Sequence, residues 1–191
     1  FKEVSPLSLK DCFIVIERLK SSFDFPIHIH PEYELNFIEH AAGAQRIVGD
    51  SVETIGDEEL VLIANPNLEH AWVNHECKST NIHEVTIQFH HSSIPDGLLE
   101  KNQFESIRRL IAKAQKGVVF GHQSINKIRP ILKSISLETD AFYSVLKLLM
   151  ILHELSLSED VRELASHSFV TPERNKNEDT RIAVSYTHLT L

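Results

Sequence analysis

Residues 25–38 read Phe25-Pro26-Ile27-His28-Ile29-His30-Pro31-Glu32-Tyr33-Glu34-Leu35-Asn36-Phe37-Ile38. Apolar and polar side chains alternate loosely from Ile27 to Ile38, the period-2 pattern of a strand with one face on a core. His28, His30, Glu34, Asn36 and Ile38 share even positions, and residues two apart on a strand point to the same side. The stretch is therefore expected to run as one extended element that aims two imidazoles and a carboxylate at a common point. Leu35 and Phe37 take the opposite face.

Short strands are predicted on both sides of it. Phe13 to Ile16 is apolar and β-branched, and Gly43 marks a turn after Ile38. Gln45 to Val48 and Ser51 to Ile55 flank Gly49-Asp50, a compact hairpin signal. Leu60 to Ala64 follows Gly56-Asp57 and is broken by Asn65-Pro66-Asn67; Ala71 to Asn74 and Glu84 to His90 complete the set. Close, regular spacing with no helix between strands argues for an antiparallel barrel or sandwich.

After Pro95 the period changes. Phe104, Ile107, Leu110, Ile111 and Ala114 mark one face of a helix, Val118-Val119-Phe120 is extended between Gly117 and Gly121, and Ile125, Ile128, Ile131, Leu132 and Ile135 mark a second helix. Pro130 lies inside that pattern and is expected to kink or delay it, because it has no N–H to donate. A third helix starts at Asp140, a good N-cap, and ends near Leu157. Its apolar residues cover more than one stripe, so it calls for burial on two sides, one of them against a partner chain. The chain is mainly β with about three α-helices following.

Composition narrows the function classes. With 191 residues, 42% hydrophobic and 24% charged, the chain can build a sizeable core. Its net charge of −8 argues against these residues holding nucleic-acid phosphates by themselves. No secretion-signal pattern opens the chain, and a first residue of Phe1 rather than methionine leads us to expect a fragment or processed form. The longest apolar stretch, Val145 to Leu155, is interrupted by Lys147, His153 and Glu154 and is too short for a membrane span. Cys12 and Cys77 stand apart, outside any C-x-x-C pair, and read as free thiols of a cytoplasmic protein. No phosphate-cradling glycine loop and no defensible Ser-His-Asp set is present, so no catalytic residue is assigned.

The histidines carry the chemistry. His28-x-His30 with Glu34 offers two nitrogens and a carboxylate, and His70, after the turn at Pro66, supplies a third imidazole. That donor set suits one divalent ion of zinc, nickel, manganese or iron; no other cofactor is called for. Two other readings stay open: a water-filled pocket, or the same side chains hydrogen-bonding a polar organic ligand. Asn36, Trp72, Gln88 and His90 extend the pocket candidates, against core packing for Trp72 and a solvated strand face for Gln88 and His90.

The spacing His28-x-His30-x3-Glu34, with Gly43 beyond it, resembles the first cupin motif, and Pro66 with His70-x3-Asn74 resembles the second, over roughly residues 10–92. A more specific resemblance is to the sensor domains of the arabinose-regulator (AraC) family. It rests on residues 25–35 quoted above, on Gly56-Asp57, on Leu62-Ile63-Ala64-Asn65-Pro66-Asn67-Leu68-Glu69-His70, on Val85 to Phe89 and on Gly117-x-x-Phe120-Gly121, and spans about residues 20–157.

The resemblance implies a cupin-like antiparallel β-barrel, a double-stranded β-helix, over residues 1–95 and a helical dimerisation segment over 96–168. Residues 169–184 would be a polar linker and the opening of a helix-turn-helix domain, and 185–191 an altered tail. It also implies a bacterial transcription regulator rather than an enzyme. A small polar effector such as a sugar would bind in the barrel, the helices would pair two copies, and DNA would be reached only through a C-terminal half outside this chain. The competing expectation is a metal-dependent cupin enzyme, a dioxygenase or sugar isomerase, using His28, His30, Glu34 and His70.

Overall fold

Alternation along the strands builds one sheet with two different faces. The computed structural model describes residues 1–94 and 96–167. The linker expected at 169–184 and the tail at 185–191 lie outside the described residues. The first half forms β1 (Phe13–Lys20), β2 (Tyr33–Glu39), β3 (Gln45–Val48), β4 (Ser51–Thr54), β5 (Glu58–Ile63), β6 (His70–Val73) and β7 (Ile82–Phe89). The second half forms α1 (Asp96–Leu99), α2 (Glu105–Lys113), β8 (Val118–Phe120), α3 (His122–Ile135), α4 (Ala141–Ser156) and β9 (Val161–Glu163).

A six-stranded sheet runs in the order β1-β7-β2-β5-β8-β9, and a three-stranded sheet in the order β4-β3-β6; every ladder is antiparallel. Gly49-Asp50 makes the β3–β4 turn, as expected, with Gly49 at φ 57°. Among the described residues no ladder closes the two sheets into a barrel. The smaller sheet meets the His28 segment through a single antiparallel bridge, His28 to His70.

Odd-numbered residues of β2 and β7 and even-numbered residues of β5 and β8 face the helices. Leu35, Phe37, Leu60, Leu62, Val85, Ile87, Phe89, Val118 and Phe120 form one buried cluster with Ile107 and Leu110 of α2, Ile125, Ile128 and Leu132 of α3, and Leu148, Ile151, Leu152 and Leu155 of α4. On the other face, Ile38, Val61, Ile63 and Ile82 meet Val48, Leu68 and Trp72 of the small sheet and its flanks. This second cluster fills one part of the space between the sheets. The part under β1, β7 and the start of β2 is lined by polar side chains instead.

The helices sit where their caps place them. The Asp140 carboxylate accepts from the N–H groups of Phe142 and Tyr143, both at 2.9 Å. The start of α3 is capped from a distance: Asp160 accepts from the N–H of Gln123 at 3.0 Å and of Ser124 at 3.2 Å. That contact is close enough to require Gly121, where a Cβ would lie 2.5 Å from the Asp160 carboxylate. α3 continues through Pro130 without a break or a delayed start. Pro130 and Asn126, whose carbonyl the proline leaves without a donor, are both exposed, where solvent lowers the cost of the lost bond. α4 buries one stripe and leaves Phe142, Tyr143, Leu146 and Met150 exposed. Cys12 and Cys77 are both free thiols, and among the described residues no helix is long and apolar enough to cross a membrane.

Candidate metal centre and ligand cavity

The stretch expected to be one strand is two pieces. Residues 28 and 29 form isolated bridges, the chain bends at Pro31-Glu32, and β2 begins only at Tyr33. Pro31 has no N–H for a ladder, and the His30 ring turns back to bond the Glu32 carbonyl through Nδ1 at 3.0 Å, which stabilises the bend. His28 is held instead by His70: their backbones exchange N–H···O bonds of 3.1 and 3.0 Å. The bend does not scatter the cluster. His30 Nε2 still reaches Glu34 Oε2 at 3.0 Å.

The three imidazoles are anchored alike. Nδ1 of His28 faces the Pro26 carbonyl at 2.9 Å, that of His30 the Glu32 carbonyl at 3.0 Å, and that of His70 the Leu68 carbonyl at 2.9 Å. A carbonyl can only accept, so each Nδ1 donates; a neutral ring then carries its lone pair on Nε2, whereas His30 Nε2, 3.0 Å from the Glu34 carboxylate, donates as well while the ring is protonated. Ring centroids are 5.7 Å apart for His28 and His30, 4.3 Å for His28 and His70, and 5.0 Å for His30 and His70. One ligand atom from each of His28, His30, Glu34 and His70 lies within 4.8 Å of all the others, and all four residues are buried.

Protonation follows from this packing. Burial pushes His70 down to about 4, against the pull of Glu34 and with His28 and His30 adding to the push. Burial opposes charge on His30 too, but its bond to Glu34 and the charges of Glu34, Glu3 and Glu32 hold it above the ordinary imidazole value. Glu34 is likewise opposed by burial, yet the His30 bond, the His70 and His30 rings and the Gln88 amide bring it down to about 2. A neutral His70 with a buried Nε2 that has no hydrogen-bond partner, beside an ionised Glu34, is a cost unless something accepts that lone pair. A divalent cation does so, and carbonyl-anchored Nδ1–H groups are the outer contacts that orient metal-binding histidines. The residues present fit a metal.

Beside the cluster lies a cavity of about 190 Å³ between the two sheets. His28, Glu34, Asn36, Trp72 and Gln88 line it, as the sequence led us to expect. His30 and His70 are not in its lining but complete the donor set. His90 is not brought to either: β7 ends at Phe89, and His90 opens the 3-10 turn His91–Ser93, which leads the chain out of the sheet.

Other cavity residues went unrecognised in the sequence. Thr86 donates to Asn36 Oδ1 at 3.1 Å, Asn36 donates to Glu84 at 3.4 Å, and Lys20 to Glu84 at 2.7 Å, with Arg18 3.6 Å from the same carboxylate. The signal was available: Glu84 and Thr86 stand in step with Gln88 along β7, as do Ile16, Arg18 and Lys20 along β1. Glu3, also in the lining, had no local signal.

Trp72 serves packing and polarity together. Its indole N–H donates to Glu59 at 2.7 Å, and Glu59 also takes the fully buried Arg46. Arg46 continues to Glu53 at 2.7 Å, and Glu53 receives Arg162 of β9 at 2.9 and 2.7 Å. Burial holds the Glu59 carboxyl above its usual range despite Arg46 and Trp72. The Arg162 hydrogen bond, opposed by burial and helped by Arg46, brings Glu53 to about 2.

No protein-family model matches the chain, and no curated protein does. Among solved structures, ToxT from Vibrio cholerae in its P21 crystal form aligns over 73% of this chain and 54% of its own, with 13% identity and a TM-score of 0.43. ToxT bound to (E)-4-(8-methylnaphthalen-1-yl)but-3-enoic acid aligns over 74% of this chain and 54% of its own, with 13% identity and a TM-score of 0.44. ToxT bound to an unsaturated fatty acid aligns over 73% and 52%, with 17% identity and a TM-score of 0.43. This chain thus spans about half the length of those proteins. A likeness at this level carries no argument from them to this chain.

Proposed function

We propose that this chain is the effector-sensing and dimerising part of a cytoplasmic transcription regulator of the AraC type, with a cupin-like sensor core. In this reading a small polar molecule, a sugar or related polyol, occupies the cavity between the sheets beside a divalent metal ion. The observation that carries the reading is the cavity between the sheets, lined by hydrogen-bonding groups on a face that packing alone would make apolar. The family resemblance from Phe25 to His70 supports the regulator assignment, and the acidic charge agrees with DNA contact being made elsewhere.

His28, His30, Glu34 and His70 would hold the metal ion. When bound, it supplies a Lewis-acid position for an oxygen of the ligand. The chain's own groups do the rest: Asn36, Thr86 and Gln88 offer amide and hydroxyl contacts, and the Trp72 ring gives an apolar wall on which a sugar face can rest. The exposed stripe of α4 with Phe142, Tyr143, Leu146 and Met150 supports pairing with a second copy, because the opposite stripe is already filled by the chain's own core.

A metal-dependent enzyme is the second reading, favoured by the position of His28 and Glu34 in both the donor set and the cavity wall. One experiment separates the two. Tag-free, zinc-loaded protein is titrated calorimetrically with sugars, polyols and hydroxy acids, and the mixtures are followed by NMR. Saturable binding with the ligand unchanged supports a sensor; conversion of the ligand supports the enzyme; the absence of any binding overturns both. The dimer is checked by sedimentation, where Met150→Asp is expected to shift the chain from dimer to monomer. A monomer for the unaltered chain at tens of micromolar would contradict it.

A further inference from the structure

The donor set already described comes from β2, β6 and the His28 segment, yet a second carboxylate points at two of its three imidazoles. Glu3 Oε2 lies 3.5 Å from His28 Nε2 and 3.9 Å from His30 Nε2. It is carried there by the N-terminal segment, which is tied down on both sides. The Glu3 N–H donates to the Ile29 carbonyl and the Ile29 N–H to the Phe1 carbonyl, each at 2.9 Å.

Gln88 fixes the direction of both carboxylates. Its carbonyl accepts from the Ser5 hydroxyl at 2.7 Å, which turns its amide NH₂ toward Glu34 Oε2 at 3.2 Å and Glu3 Oε2 at 3.4 Å. Two carboxylates sharing one neutral donor, beside an imidazole nitrogen that has no partner, make an arrangement that a cation would stabilise and that packing alone does not explain. The two differ in access: the Glu34 side chain is 5% exposed and that of Glu3 18%.

We propose that Glu3 is a fifth protein ligand of the metal, and that the ion pins residues 1–5 to the sheet. The inference rests on the metal reading above and adds its outermost ligand, the one that a ligand oxygen from the cavity can displace. It makes the order of the N-terminal segment a function of metal occupancy.

The test uses tag-free protein titrated with Co²⁺, whose visible absorption reports coordination number, and with Zn²⁺ under hydrogen exchange. Glu3→Gln is expected to bind cobalt about tenfold more weakly. Its absorption should be more intense than that of the unaltered chain, because four-coordinate cobalt absorbs more strongly than five-coordinate cobalt. Zinc should slow exchange at residues 1–5 in the unaltered chain and leave it unslowed in Glu3→Gln. Glu32→Gln is the control, since that carboxylate faces the Nδ1 edge of His30 at 3.6 Å and should leave the spectrum unchanged. An unchanged spectrum and unchanged protection in Glu3→Gln overturn the inference while the four-ligand centre stands. If the unaltered chain takes up no metal, the centre and the inference fall together.

Discussion

The two faces of the six-stranded sheet are made by the same strands and obey different chemistry. Toward the helices, Leu35, Phe37, Val85, Ile87 and Phe89 form a dry core held by burial alone. Toward the small sheet, the intervening residues Glu34, Asn36, Glu84, Thr86 and Gln88 are as buried but polar, and each is held by a named partner. Burying polar groups costs stability unless they are bonded, so the outer face carries the fold and the inner face spends part of that stability on a site. Both faces follow from one two-residue period.

The comparison breaks most easily where charge is deepest. Arg46→Met strands Glu59 without its cation on the inner side and should cost about 3–5 kcal/mol in urea unfolding. Adding Glu59→Leu should recover most of that loss, because an apolar pair then replaces an ionic one; no recovery would mean that the network is not where the cost arises.

Neighbours on β7 sharpen the contrast. Ile87→Ala, on the helix side, should cost roughly 2–5 kcal/mol whether or not metal is present. Thr86→Val, one residue away on the cavity side, should cost only about 1 kcal/mol in stability. It should instead weaken binding of any polyol that fills the cavity. Equal stability losses at the two positions would contradict the division of labour.

The smallest expected effect is a pH slope at the sheet's edge. His83 sits between Glu39 at 2.9 Å and Glu17 at 2.7 Å, with Arg129 and Lys133 of α3 on the far side of Glu39. Burial lowers its pKa, but the two carboxylates outweigh burial and hold it above 6.5. A group whose folded-state pKa is raised stabilises fully below its unfolded value and loses that contribution as pH rises through the folded one. Stability should therefore fall more steeply above pH 6.5 in the unaltered chain than in His83→Gln, as read from thermal unfolding across that range.

Much of this was legible because it is local. Gly49-Asp50, the Asp140 cap and the even positions of β2 each depend on residues adjacent in sequence. His70 was legible because the turn at Pro66 sets the start of β6. What escaped depends on contacts across long loops. Glu3 meets His28 from 25 positions away, and Trp72 finds its acceptor, Glu59, 13 positions back on the preceding strand. The bend at Pro31 is written in the sequence, but the alternation on both sides of it hides the signal. His90 continued a pattern that the backbone abandons one residue earlier.

The central claim is that three Nε2 atoms and a carboxylate meet at one point. X-ray absorption at the zinc edge of tag-free, zinc-loaded protein tests it most directly. The account predicts one zinc per chain with only nitrogen and oxygen neighbours, at about 2.0–2.2 Å and with imidazole scattering beyond them. Sulfur at about 2.3 Å, or no stoichiometric zinc, would contradict it.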